Sequence, residues 1–243
     1  MKGPANGVLV PATGPTERAG FSDNLHERIE QLVGNGYQAV PLDGVGVTYI
    51  APPAGTGALN PRATELIARH GTRLHPPIIV AGPAVITGRT RPSGEPGPLP
   101  FRILAEIDQL PDPEDSQLAE LRCHALRYGW AITTSTDPTG KPVASTVGLT
   151  AHGHAELVFT GTGIEQARRL LNMIAAVLVT GAAHGPPDGI RIVDVDPGIY
   201  DQSWWQPVRR YHQLWTPNRV DAAVAVIAVP AAGDGNGPIA QTA

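Results

Sequence analysis

The stretch AHGHAEL sets His152, His154 and Glu156 at alternate positions. On an extended strand, alternate side chains share one face, so two imidazoles and a carboxylate would line the same side. Neutral imidazole nitrogen and carboxylate oxygen suit Zn²⁺ or Fe²⁺, and two histidines with one carboxylate can form an open iron site. Without a metal the same groups could do acid–base work, because imidazole titrates near neutrality. Gly153 interrupts the strand pattern and favours a plainer arrangement, with His152 in a turn, His154 bonded to backbone and Glu156 paired with an arginine. We therefore expect no cofactor and no metal, and keep His154 and Glu156 as the candidates for catalysis.

Just upstream lies TVGL, Thr146 to Leu149. A threonine hydroxyl, with Gly148 admitting close backbone approach, can contact an anion or a base. Thr146, Gly148, His152 and His154 form the expected ligand-binding set. Val147 and Leu149 alternate with Thr146 and Gly148 as an ordinary half-buried strand also does. A second constellation is YDQSWWQPVRRYHQLW, residues 200–215. There Trp204, Trp205, Tyr211 and Trp215 interleave with Arg209, Arg210 and His212. These types dominate protein-binding hot spots, stack on bases and pair with phosphates. They also cover sheets, with arginine stems laid across the rings. Cys123 beside His124 does not read as a thiol catalyst, because adjacent helical residues point about 100° apart; we expect a buried small hydrophobe. Asp194 and Asp196 share a strand face but precede Pro197-Gly198, where solvated turn acids are expected.

The whole chain has 243 residues, 42% hydrophobic and 16% charged, with 28 Gly and 25 Pro. That allows a packed core and many turns. A net charge of −4 and a pI near 6.0 disfavour broad nucleic-acid binding, which needs a positive field. One cysteine excludes an internal disulfide and a multi-cysteine zinc site. No apolar run approaches the ~20 residues that span a bilayer, and MKGPANGVLVPATG lacks the core of a signal peptide. A cytoplasmic location with no membrane association is expected.

The elements that must position these groups read as two small α+β domains, each a mostly antiparallel sheet with packed helices. In residues 1–90, strands are expected at 7–11, 37–42, 45–50 and within 78–88, with a hairpin at Asp43-Gly44. Helices follow Asn24, with Glu27 completing a capping box, and Asn60, with Pro61 in the first turn. Residues 91–111 open with RPSGEPGPLP and read as a linker. Residues 112–230 hold a helix starting at Asp112, strands at 130–136, 143–150, 156–161, 189–196 and 222–230, and a helix over 164–179. The buried stripe of that helix is Ile164, Ala167, Leu170, Leu171, Ile174 and Leu178. Residues 231–243 read as a flexible tail.

RYGWAI, STVGLT, HGHAELVFTG and ARRLLNMIA, in that order over residues 123–229, resemble the bacterial family known as domain of unknown function 4262. GVLVPATG, LVGNGYQAV, LNPRATELI and VAGPAVITG, over residues 7–90, resemble domain of unknown function 3846. Neither resemblance supplies a reaction. Together they imply a bacterial accessory protein, of the kind carried by plasmids and phages, that engages a protein partner; the Trp/Arg segment is its expected contact surface. A hydrolase or small-ligand module around Thr146, His154 and Glu156 is the alternative. Nucleic-acid binding through Arg209 and Arg210 comes third. Whether the chain is an enzyme, and in what oligomeric state, stays open in the sequence.

Overall fold

The computed structural model describes residues 6–21, 24–52, 57–71, 78–112, 115–160, 163–181, 191–194, 203–216 and 224–228. The chain divides into two compact units, Met1–Ala131 and Ile132–Ala243. The fold is α+β, and the described residues form two five-stranded sheets.

In the first unit, β1 (Gly7–Val10), β2 (Glu17–Ala19), β3 (Gln38–Leu42), β4 (Gly46–Ile50) and β5 (Ala84–Gly88) line up as β2-β1-β5-β4-β3. All four pairings are antiparallel. The β3–β4 hairpin turns at Asp43-Gly44 as expected, with Gly44 at φ 68°. The helices are α1 (Leu25–Val33), α2 (Pro61–His70), α3 (Phe101–Gln109) and α4 (Ser116–Tyr128). Strand periodicity decides which helix meets which face. Ala84 and Ile86 of β5 pack with Leu66 and Ile67 of α2 and with Ile103 and Ile107 of α3. Val85, between them, packs with Phe21 and with Ile29 and Val33 of α1. The sheet is thus covered on both faces, which accounts for a fully buried central strand.

Asn60 fixes the start of α2. Its Oδ1 accepts from Ala63 N at 3.0 Å, while Nδ2 donates to Val10 O at 2.9 Å and Gly82 O at 3.0 Å. One buried amide therefore caps a helix and ties it to two neighbouring segments. The capping box expected at Asn24 does not form. Asn24 takes the left-handed conformation, φ 56° and ψ 46°, and its side chain makes no cap bond. Asparagine tolerates that region better than other residues, and there its side chain no longer faces the first-turn amides. The start expected at Asp112 moves to Asp115, whose carboxylate accepts from Gln117 N at 2.9 Å.

The expected linker contains α3, hidden from composition by the Pro/Gly-rich decade before it. Leu99, Ile103, Ile107 and Leu110 are all buried in the core of the first unit. Helix α4, expected to open the second domain, packs on α2 instead. The division made by packing therefore falls after Ala131 rather than within 91–111.

Charge ties these helices together. Glu65 of α2 is buried and accepts from Arg122 of α4, Nη2 at 2.7 Å and Nε at 3.2 Å, and from Arg69. Arg69 also reaches Glu106 of α3 at 3.0 Å, and His70 lies 2.9 Å from the other Glu106 oxygen. Partial burial pushes the Glu106 carboxyl up, but the hydrogen bonds and charges of His70 and Arg69 outweigh it and leave it below the usual carboxylate range. A depressed carboxyl contributes stability above its unfolded value and loses it as pH falls through its folded value. We expect the stability gap between the natural protein and Glu106→Gln to be full at neutral pH. It should close as pH falls below the ordinary carboxylate value of 4.5 and on through the lower folded value, as thermal melts on the acid side would show.

In the second unit, β6 (Ala131–Thr136), β7 (Pro142–Val147), β8 (Glu156–Thr160), β9 (Arg191–Asp194) and β10 (Val224–Ala228) follow the order β6-β7-β8-β10-β9. β7 with β8 and β10 with β9 are antiparallel, whereas β8 and β10 run parallel. Helix α5 (Ile164–Thr180) packs on β7 and β8, and α6 (Gln206–Trp215) packs on β7. The buried stripe of α5 is Ala167, Leu171, Ile174 and Ala175; Ile164, Leu170 and Leu178 sit at its half-buried margin. The tail at 231–243 lies outside the described residues. Among the described residues no helix is long and apolar enough to cross a membrane.

Candidate functional site

Glu156 opens β8, a strand otherwise made of Leu157, Val158, Phe159 and Thr160. Its side chain is fully buried, so its charge must be met inside the protein. Thr146, on the neighbouring β7, donates its hydroxyl to Glu156 Oε2 at 2.8 Å and accepts from Leu157 N at 2.8 Å. Gly148 N donates to Oε1 at 2.8 Å, and Thr150 N to the same oxygen at 3.3 Å. His212 of α6 brings Nε2 to 3.3 Å from Oε1. The two groups lie within ion-pair distance but are not aligned as a hydrogen bond. On its other side, His212 Nδ1 lies 2.6 Å from Thr216 Oγ1.

The backbone gathers these donors because it turns sharply after β7. Gly148 takes φ 103°, a short 3-10 turn runs Leu149–His152, and Gly153 takes φ 82°. Only glycine adopts such angles without strain. Leu149 is buried beneath the turn, and His154 N closes it by donating to Leu149 O at 3.2 Å. Both ends of the turn are therefore held, while Ala151, His152 and Gly153 are exposed at its tip. A carboxylate receiving several amide and hydroxyl donors in a dry setting is a strong anchor. Its geometry positions a loop.

The structure brings together Thr146, Gly148 and Glu156 from the sequence candidates. It separates them from the histidines expected beside them. His152 is exposed in the turn and His154 is half-buried, and neither is a partner of Glu156. The alternation assumed for AHGHAEL fails because the strand begins only at Glu156. Among the described residues no group of three or more His, Cys, Asp and Glu gathers as metal ligands. Asp196 lies outside the described residues, as does the side chain of Asp194.

The Trp/Arg segment folds inward. Trp204, Trp205 and Tyr211 are buried, and Ser135 Oγ donates to Trp204 O at 3.0 Å. Trp215 is half-buried against Tyr211, with ring centroids 5.1 Å apart. Arg210 is exposed and Arg209 half-buried on α6. Of the aromatics expected at a contact surface, Trp204, Trp205 and Tyr211 are core and Trp215 lies at its margin, with Trp204, Val208 and Tyr211 recurring at helical spacing on one face.

Sequence reasoning missed His212 as the partner of Glu156. The signal was present in two halves. A glutamate inside an apolar strand needs a buried partner, and His212 stands next to Tyr211 on the apolar side of α6.

Cys123 is fully buried on α4, with Sγ 3.7 Å from Thr64 Oγ1. Burial pushes the thiol up to about 11 from 9.0. Native protein at pH 8 should react with a maleimide about 100-fold more slowly than unfolded protein. Equal rates in a stopped-flow alkylation would contradict this. The first unit also has an open cleft of about 390 Å³ lined by Thr13, Leu59, Gln117 and Glu120 among others, none of them a site candidate from the sequence.

No curated protein and no solved structure matches this chain. The resemblance of residues 7–90 to domain of unknown function 3846 gains no match. Residues 124–229 match the model of the family described as Domain of unknown function (DUF4262), a span that holds Glu156 and every group bonded to it.

Proposed function

We propose that this chain is an accessory binding protein and that its second unit engages a protein partner through the turn at residues 148–154. The observation that carries this reading is the convergence of Gly148 N, Thr150 N and the Thr146 hydroxyl on one buried carboxylate. Burying a charge is costly unless it is bonded. Here the bonds hold a glycine-bounded loop whose tip carries no buried side chain, from Ala151 to His154. A loop fixed on a rigid scaffold loses little entropy when it docks. The contact surface moves from the Trp/Arg segment to this turn, since Trp204, Trp205 and Tyr211 are buried. An origin on a plasmid or phage belongs to the same proposal and rests on the resemblance alone.

The test uses the full chain with a photo-crosslinking residue at Ala151, and a control with the same residue at Thr136, also exposed. Crosslinking in the native host should capture one protein from position 151 and not from 136. Adding His152→Ala and His154→Ala should remove that product. Identical products from both positions, or none from 151, would overturn the reading.

A further inference from the structure

His212 stands between two oxygens. Its Nε2 is 3.3 Å from Glu156 Oε1, and its Nδ1 is 2.6 Å from Thr216 Oγ1. Glu156 and His212 are both almost completely buried, while Thr216, just past the end of α6, is only partly buried. The order is therefore carboxylate, imidazole, hydroxyl, running from the interior towards the surface. Glu156 accepts from the Thr146 hydroxyl and from the backbone amides of Gly148 and Thr150. A carboxylate beside one ring nitrogen keeps the proton on that nitrogen. In the tautomer that carries its proton on Nε2, on the carboxylate side, Nδ1 accepts from the Thr216 hydroxyl. Thr216 is also fixed by its backbone, whose N donates to His212 O at 2.9 Å. A hydroxyl within bonding reach of a base, and a base oriented by a third group, is the arrangement that activates a nucleophile.

We propose that Thr216 Oγ1 is an activated nucleophile that accepts an acyl group from an activated ester. As Oγ1 bonds to the acyl carbon, its proton passes to His212 Nδ1. The ester C–O bond then breaks, and the departing oxygen takes that proton from His212. The acyl group remains as an ester on Thr216, and the imidazole returns to its starting state. Glu156 steadies the transient imidazolium across Nε2. His212 is the general base and Glu156 a positioning residue. This proposal does not depend on the binding turn: partner capture and acyl transfer are read separately.

The test incubates the full chain with p-nitrophenyl acetate and maps acetylation by tandem mass spectrometry. Thr216 should be the main acetylated hydroxyl, ahead of exposed Thr136 and Thr139. Removing a general base costs about 100-fold or more, so His212→Gln should slow labelling by that factor. Because His212 is buried, Thr216→Ser and Thr216→Val serve as variants at a less buried position. The serine variant should keep the adduct and the valine variant should lose it. A hydroxyl that merely ends the helix would be acetylated no faster than Thr136. That outcome in folded natural protein, or an unchanged rate in folded His212→Gln, would overturn the proposal.

Discussion

Replacing Glu156 by Ala should destabilise the second unit by about 3–5 kcal/mol, the range for removing one member of a buried charge cluster. The loss comes less from the missing attraction than from what stays behind. Gly148 N and Thr150 N lose their acceptor, the Thr146 hydroxyl loses its own, and buried His212 Nε2 loses the carboxylate oxygen 3.3 Å away. Each abandoned buried donor costs about 1–3 kcal/mol, and relaxation of the turn toward solvent recovers part of the sum. Glu156→Gln should cost less, because its amide oxygen still accepts from the turn while its NH₂ faces the Thr146 hydroxyl. Tryptophan fluorescence in urea is a suitable readout, since Trp204, Trp205 and Trp215 all lie in the second unit. A loss below about 1 kcal/mol would mean that water replaces the carboxylate freely, and the anchoring role would fall with it.

Glu65→Ala should have an effect of similar size, about 3–5 kcal/mol, in the first unit. Glu65 is the shared acceptor of Arg122 and Arg69, and Arg122 is itself largely buried. Deleting the carboxylate leaves the Arg122 guanidinium facing a desolvated gap between α2 and α4. A paired replacement, Glu65→Leu with Arg122→Met, removes both buried charges and should recover most of the loss. Apolar isosteres of buried ion pairs are often neutral or better. Hydrogen exchange along α2 would separate the cases: fast amides in Glu65→Ala and protection restored in the double variant. Equal protection in all three proteins would show that packing alone holds α4 on α2.

Much of this architecture could be read from pattern. The helix α5, the hairpin at Asp43-Gly44 and the cap at Asn60 each carry a local signal, and the structure agrees at each. Helix α3 was lost because its stripe of Ile103 and Ile107 follows ten residues rich in proline and glycine. The site was half legible. Thr146, Gly148 and Glu156 stood out by type and spacing, but the pairing of Glu156 with His212 joins residues far apart in the chain. No periodicity reports such a contact. The Trp/Arg segment misled because aromatic and cationic residues look alike in a core cover and a contact surface. Only the burial of Trp205 and Tyr211 distinguishes them.

The parallel pairing of β8 with β10 has a consequence for synthesis. β10 lies after both α5 and α6 in the chain, yet it fills the place between β8 and β9. During translation, β8 therefore waits with one edge unsatisfied until residues 224–228 have left the ribosome. Exposed strand edges recruit other chains, and long-range parallel pairing forms slowly. Shortened products ending before Val224 should clump in the cell, whereas those extending beyond Ala228 should not.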